Sequence, residues 1–146
     1  MTIEITNKSG ELVPTESVRT LLQNSLVELK LNPECEVNLV FVDVAEMTEL
    51  HIKWMDEGGP TDVLSFPMDE MKPFSASKGP GIIGDIVICP QFAAKQAVSH
   101  SAEEEISLLT VHGVLHLLGF DHAEEEEHKV MFGLQEKTLA EWRKGK

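Results

Sequence analysis

The segment from His112 to His122 constrains this chain more than any other, because it combines the pattern of a buried helix with the spacing of metal ligands. His112 and His116 are four residues apart, so on an α-helix both side chains project from one face, one turn apart. Gly119 predicts the end of that helix and lets the chain return His122 toward the pair. Three neutral imidazoles can hold one divalent ion and leave a coordination position open for water. The spacing therefore predicts a metal site with the ligands His112, His116 and His122.

The helix that carries the first two histidines is predicted to be central and buried. A capping pattern at Ser101 and Glu104 predicts its start, and its apolar residues continue to about Leu118. These apolar residues fall on every side, which is typical of a helix surrounded by core. A single histidine in such a helix is most often a core residue with one hydrogen-bond partner. Two histidines at one-turn spacing and a third beyond the glycine would each need a buried partner, which favours a metal site.

The same histidine spacing occurs in the zinc motif H-E-x-x-H-x-x-G-x-x-H of certain metalloproteases. Gly113 stands where those proteases have their catalytic glutamate. The metal ligands agree with that motif, whereas the carboxylate that activates water in a peptidase is missing. A peptidase or another zinc hydrolase is therefore kept as an alternative function.

Length and composition predict one soluble domain over residues 1–146. A chain of this size can bury roughly two thirds of the surface that its unfolded form exposes. The sequence opens without a basic and then apolar leader, and it has no apolar run long enough to cross a bilayer, so a cytoplasmic location is expected. Cys35 and Cys89 are isolated in apolar segments and are expected to be buried, reduced thiols.

The net charge of −13 opposes a simple nucleic-acid function, because phosphate contacts are usually made by lysine and arginine. A nucleic-acid ligand would need a local basic patch. Much of the acid lies in Glu103 to Glu105 and Glu124 to Glu127, near predicted helix starts, where carboxylates favour the positive end of the helix dipole. These acidic runs are expected to be solvated helix faces.

Alternating patterns predict strands around Ile3 and Ile5 and over residues 35–41, and an apolar run predicts another over 82–88. Residues 61–68 are also strand-like, but Pro67 cannot donate a ladder hydrogen bond, which places that strand at a sheet edge or at a strand end. Helical spacing follows Pro14, covers residues 47–54 and returns over residues 131–142. Asn32 and Pro33 should end the first of these helices, and Gly58 to Pro60 the second. Residues 69–81 have the composition of a loop.

Three blocks of the sequence together resemble the YbeY family. They are Thr-Asp-Val-Leu-Ser-Phe-Pro at 61–67, Gly-Asp-Ile-Val at 84–87 and His-Gly-Val-Leu-His-Leu-Leu-Gly-Phe-Asp-His at 112–122. Their order and spacing agree with the family over essentially the whole chain. Members of that family are known as single-strand-specific, metal-dependent endoribonucleases that act in ribosomal RNA maturation, notably at the 3′ end of 16S RNA, and in ribosome quality control.

The resemblance implies a fold and a set of partners. The expected fold is a single α+β domain, with a small mixed four-stranded sheet packed with helices around the central buried helix of the metal motif. One Zn²⁺ per chain would be held by His112, His116 and His122. The expected partners are single-stranded and ribosomal RNA, the small ribosomal subunit and a GTPase of ribosome assembly.

Two positions depart from the family pattern. Met55 stands where the family usually has an arginine, a residue suited to clamping a phosphate. Lys53, Lys72, Lys78 or Arg19 could supply the missing charge, and the sequence does not choose among them. Phe120 replaces a commoner tyrosine, which removes a hydroxyl group but leaves an aromatic ring.

The expected reaction is metal-assisted cleavage of an RNA phosphodiester, by hydrolysis or internal transesterification. His116 and Asp121 are the catalytic candidates. Asp121 could orient a ligand imidazole or accept a proton, or it could only satisfy backbone donors in the turn after the helix. The substrate-binding candidates are Lys53, Ser65, Lys72 and Asp85, and Asp62 and Asp85 are candidates for supporting hydrogen bonds. A further alternative is a non-catalytic ribosome-assembly factor whose zinc is structural.

Overall fold

The computed structural model of the chain describes residues 1–55, 62–120 and 124–144, without the side chains of residues 54 and 55. The strands and helices follow in the order β1 (Thr2–Asn7), α1 (Thr15–Glu28), β2 (Glu36–Phe41), α2 (Val44–Met55), β3 (Val63–Pro67), β4 (Ile82–Ile88), α3 (Pro90–Gln96), α4 (Ala102–Leu117) and α5 (Glu125–Lys144). A 3-10 turn at Ala76–Lys78 lies in the loop before β4. Gly58 to Pro60, the predicted stop of α2, lie outside the described residues.

The four strands form one mixed sheet in the order β1-β2-β4-β3. β1, β2 and β4 are parallel to their neighbours, and β3 runs antiparallel to β4. β3 is therefore an edge strand, as Pro67 predicted, because an edge strand tolerates a residue without an N–H group. The expected fold, a single α+β domain with a mixed four-stranded sheet, is confirmed.

Helix α4 is the centre of the larger core. It contacts α1, α3, α5, β3 and β4, and most of its residues are buried. Its start is the predicted cap, where the Ser101 hydroxyl accepts a hydrogen bond of 3.1 Å from the Glu104 N–H. It ends at Leu117, one residue before the predicted position. Because α4 is surrounded by other elements, its two histidines are held on a rigid support.

The opposite face of the sheet is covered by α2. Successive residues of a strand point to opposite faces, so Ile86 and Ile88 pack in the α4 core while Val87 packs with α2. Met47 of α2 is fully buried in this second, smaller core. The molecule thus has a helix on one side of the sheet and a group of helices on the other.

Three predictions about composition have clear outcomes. Cys35 and Cys89 are free and fully buried, as expected. The acidic runs do lie in the first turns of α4 and α5. The expectation that they are solvated is wrong for Glu105, which is buried. Its carboxylate lies 2.7 Å from the ring nitrogen Nε2 of His100, a contact that offsets part of the cost of burial.

No helix in the described parts of the chain has both the length and the apolar composition needed to cross a membrane.

Candidate functional site

His112 and His116 lie one turn apart on α4 and point toward each other. Their Nε2 atoms are 3.1 Å apart, and their rings meet edge to face with centroids 4.6 Å apart. Both side chains are half-buried. The prediction that these two histidines share one face of a helix is therefore confirmed.

Gln135 of α5 fixes the orientation of the first histidine. Its side chain is only 2% exposed, and its Oε1 atom lies 2.9 Å from Nδ1 of His112. An amide oxygen can only accept, so Nδ1 carries the proton and the lone pair of Nε2 faces His116. Phe132 flanks the pair, with its ring centroid 5.8 Å from that of His112.

Sequence reasoning did not identify Gln135, although a signal was present. Met131, Thr138, Leu139 and Trp142 form the buried face of α5, and Gln135 lies four residues from two of them. A long polar side chain inside an apolar helical face needs a buried partner. That requirement pointed to a polar group on a neighbouring helix, and His112 is that group.

The two described imidazole nitrogens have the spacing of a pair of zinc ligands. Two imidazole nitrogens that bind one tetrahedral ion at about 2.0–2.1 Å lie about 3.3 Å apart. The observed separation of 3.1 Å is close to this value. His122, the predicted third ligand, and Asp121 lie outside the described residues. Within residues 1–55, 62–120 and 124–144, no three His, Cys, Asp or Glu side chains are grouped closely enough to hold a metal.

Gly113 lies where α4 touches the sheet. A Cβ atom built on it would be 2.9 Å from Cγ2 of Ile86 and 3.3 Å from the hydroxyl oxygen of Ser65. The Ser65 hydroxyl also donates a 3.1 Å hydrogen bond to the Gly113 carbonyl. There is no room for a glutamate at this position, so the carboxylate of a metallopeptidase could not stand here. Ser65 is brought next to the histidine helix, as a neighbour of the residue that follows His112.

Asp62 lies at the start of the same edge strand. Burial raises the pKa of its carboxyl group, and the negative charge of Glu105 acts in the same direction. The N–H groups of Asp62 and Val63 and the nearby His112 lower the pKa, but they do not offset the burial. The Asp62 carbonyl accepts a 3.0 Å hydrogen bond from the Cys89 N–H, which joins this end of β3 to the end of β4. Asp62 is thus an electrostatic neighbour of both Glu105 and His112.

Lys72 reaches the other end of the histidine helix. Gly119 has a φ of 94°, the left-handed conformation that ends α4, and its N–H donates to the His116 carbonyl at 3.0 Å. A Cβ atom on Gly119 would be 3.4 Å from Nζ of Lys72. Lys72 therefore places a positive charge at the negative end of the α4 dipole, beside the turn that leads toward His122. Phe120, half-buried in the same turn, donates its N–H to Leu115.

The other charged candidates lie elsewhere. Asp85 points to the face opposite Ile86, away from α4, and accepts a 3.1 Å hydrogen bond from Nδ2 of Asn38. Lys53 is exposed in the last turn of α2, on that opposite side of the sheet. Arg19 donates to the Ile3 carbonyl at 2.7 Å and so ties α1 to β1. The side chain of Met55 lies outside the described part of the molecule.

Comparison with known proteins gives consistent results. The family model described as Endoribonuclease YbeY matches residues 3–143. An Endoribonuclease YbeY of Nocardia farcinica is 52% identical over 97% of this chain and 80% of its own length. The protein of the same name from Beutenbergia cavernae is 51% identical over 95% of both chains, and that of Thermobifida fusca is 49% identical over 99% of this chain and 96% of its own length.

A solved structure supports the same relationship. The solution structure of a Thermotoga maritima protein superposes on this chain with a TM-score of 0.64 and 28% sequence identity. The match covers 99% of this chain and 93% of the other. With its two facing histidines on a buried helix and its sequence match from end to end, the chain belongs to the Endoribonuclease YbeY family.

Proposed function

We propose that this protein is a zinc-dependent endoribonuclease that cleaves single-stranded RNA, with one Zn²⁺ held by His112, His116 and His122. The observation that carries the proposal is the pair of Nε2 atoms 3.1 Å apart on a buried helix, one of them oriented by Gln135. Family membership supports ribonuclease activity. The lack of room for a larger side chain at Gly113 argues against a peptidase, which needs a glutamate there.

A bound zinc ion would supply Lewis-acid chemistry and would lower the pKa of a coordinated water toward about 7. Residues of the chain would orient the ligands and bind the substrate. Gln135 holds the His112 ring so that the Nε2 lone pair of His112 faces Nε2 of His116. Lys72, beside Gly119, would contact a phosphate of the substrate, and Ser65 would keep α4 aligned with the edge strand. Asp121 would accept a proton or orient His122.

The proposed biological substrate is ribosomal RNA, at the 3′ end of the small-subunit RNA, with a second role in ribosome quality control. The small ribosomal subunit and an assembly GTPase are the proposed partners, and the cytoplasm is the proposed location. These assignments depend on the family resemblance of the three sequence blocks. Met55 leaves the position of the family arginine without a charge, and Lys72, whose Nζ lies beside Gly119, is proposed to supply one at the site.

The decisive experiment compares cleavage of a labelled single-stranded RNA by the wild type and by His116→Ala, purified identically. His51→Ala is the matched control, because His51 lies on α2, on the other side of the sheet. We expect the wild type and His51→Ala to contain stoichiometric zinc by elemental analysis and to cut single-stranded but not duplex RNA. His116→Ala should lose both zinc and cleavage. Equal cleavage by all three proteins would identify a contaminating nuclease and overturn the proposal.

A second experiment separates catalytic from structural zinc. His112 and His116 lie on a helix that is packed by the core, so we expect the core rather than a metal to position the pair. Chelation should therefore abolish cleavage while the far-ultraviolet circular dichroism of the folded protein persists, because structural zinc supplies folding free energy and catalytic zinc occupies a preformed site. Unfolding on chelation would instead favour the non-catalytic assembly factor.

A further inference from the structure

Two residues of the described chain other than glycine have left-handed backbone, and they are neighbours. Lys30 has a φ of 59° and Phe74 a φ of 60°. The Phe74 N–H donates a 2.7 Å hydrogen bond to the carbonyl of Leu29, the residue before Lys30. Left-handed backbone is unfavourable for an L-residue because Cβ crowds the following carbonyl oxygen, and glycine avoids this cost. At Lys30 this conformation ends α1, because the Lys30 and Leu31 N–H groups donate to the carbonyls of Val27 and Leu26. Phe74 does not follow a helix, and its position would be more stable as glycine.

The strained backbone at Phe74 is held by its surroundings. Asn32 donates from Nδ2 to the Ala76 carbonyl at 2.9 Å, and the Lys78 N–H donates to the Ser75 carbonyl at 2.9 Å. Ser75 itself is buried, and its hydroxyl bonds the Lys72 carbonyl. The loop is therefore tied to the turn between α1 and β2, and its shape is fixed before any ligand binds.

The Phe74 ring contributes little to the stability of the fold. The residue is 66% exposed, so most of its surface faces solvent although a buried serine follows it. An exposed aromatic ring on a fixed but unfavourable backbone is better explained by a ligand than by stability. Lys30, also exposed, lies across the hydrogen bond to Leu29.

This loop is continuous with the histidine site. Lys72 is two residues before Phe74, a separation of at most about 7 Å along the chain. The Lys72 ammonium group lies beside Gly119, whose N–H is bonded to His116. Lys72 thus links the loop of Phe74 to the turn that ends the histidine helix.

We propose that Phe74 is a stacking platform for one base of single-stranded RNA, with the neighbouring phosphates contacted by Lys72, two residues before it, and by Lys30, across the hydrogen bond to Leu29. This inference rests on the proposed ribonuclease function and adds where the substrate lies. Base stacking on an aromatic ring tolerates any sequence and does not need a dense positive surface. It therefore suits a chain whose net charge is −13 and which cannot depend on lysine and arginine alone.

The test uses the zinc-loaded protein, a 2′-O-methyl single-stranded RNA and fluorescence anisotropy at fixed salt. The methyl group blocks internal transesterification, and a gel run after the titration checks that hydrolysis has not cut the RNA. Phe74→Gly should raise the Kd about 5-fold to 100-fold, the range for loss of one base stack. The same variant should raise the Tm, because glycine relieves the left-handed backbone. Phe74→Tyr keeps the ring and should bind as the wild type does.

Val98→Ala is the matched control, since Val98 is 91% exposed but precedes the start of α4, about 24 Å of helix away from Gly119. It should leave the Kd unchanged. Wild-type affinity in Phe74→Gly would overturn the stacking role, and a lower Tm in that variant would overturn the argument from strain. If the wild type binds no single-stranded RNA, both the proposed function and this inference fail. If it binds RNA with an affinity that Phe74→Gly does not change, only this inference fails.

Discussion

Single side chains decide how the histidine pair is oriented. His112 has two ring nitrogens, and the hydrogen bond to the buried oxygen of Gln135 determines which of them carries the proton. When the other ring nitrogen of a ligand histidine is held in this way, less free energy is needed to orient the ring for metal binding. The contribution of Gln135 should therefore be visible as metal affinity rather than as folding stability.

Gln135→Leu should weaken zinc binding about 10-fold to 100-fold, the usual effect of removing a hydrogen bond to a ligand histidine. Gln135→Glu keeps the acceptor and should bind zinc at least as well as the wild type. The measurement is competition with a chromophoric chelator, with Gln91→Leu as the control, because Gln91 lies on α3 and bonds Glu11 instead. Unchanged zinc affinity in Gln135→Leu would show that His112 does not need this partner.

Asp62 gives a prediction about pH. Burial raises the pKa of its carboxyl group, so ionisation costs more in the folded than in the unfolded chain. Well below the ordinary aspartate pKa both states are protonated and the cost is absent; it appears as pH rises through that value and is complete above the folded pKa. Asp62→Asn, which keeps the oxygen acceptor, should therefore raise the free energy of unfolding of the metal-free protein near neutral pH.

Urea unfolding at a series of pH values, in the presence of a chelator, measures this effect. The advantage of Asp62→Asn should shrink as the pH falls toward the ordinary aspartate pKa. An advantage that is the same at all pH values would contradict the raised pKa.

The contact between α4 and β4 determines where the histidines stand relative to the sheet. Gly113 allows the helix to approach Ile86 and Ser65 closely, and the Ser65 hydroxyl bonds the Gly113 carbonyl at 3.1 Å. Glycine in the middle of α4 lowers its helix propensity, which is the cost of this close approach. α5 also contains an interior glycine, Gly133, but no atom lies within 4 Å of a Cβ built there.

These two glycines make a matched pair. Gly133→Ala should stabilise the protein by about 1 kcal/mol, the ordinary difference in helix propensity. Gly113→Ala gains the same propensity but forces a Cβ to 2.9 Å from Ile86, and overpacking of a core costs about 1–3 kcal/mol, so the net effect should be zero or destabilising. Chemical denaturation of the two variants measures the difference. Equal stabilisation by both would mean that α4 can move away from the sheet without cost.

The charge of the complete chain limits how it can hold RNA. With a net charge of −13, the protein as a whole repels a polyanion. Among the described residues, Lys72 is a lysine with its ammonium group beside the end of the histidine helix. Two or three phosphate contacts are therefore expected, with stacking supplying the rest of the affinity. This differs from a protein that covers its ligand with basic side chains.

The salt dependence of RNA binding tests this view. Each phosphate contact on a single strand contributes about −0.7 to the slope of log K against log salt, so the slope should be about −1.4 to −2.1. Lys72→Ala should make the slope less steep by about 0.7. The anisotropy titration described above, repeated at several salt concentrations, gives both values. A slope several times steeper would show that the ligand follows an extended basic surface.

Local patterns in the chain were enough to predict most of the fold. The cap at Ser101, the all-round apolar pattern of α4, the glycine stop at 119 and the edge position of the Pro67 strand depend on near neighbours in sequence, and the structure confirms each of them. The facing of His112 and His116 follows from the same helical period. Such features are set by backbone sterics and by the spacing of apolar residues.

The partners that lie far apart in sequence appeared only with the tertiary structure. Gln135 meets His112, 23 residues away in sequence, because α5 packs on α4. Asp85 and Ser65 were equal candidates by composition, but the alternation of β4 and its pairing with β3 turn Asp85 away from α4 and place Ser65 beside Gly113. The physical reason is that these contacts depend on which faces of separate elements meet, and a one-dimensional pattern specifies each face without specifying its partner.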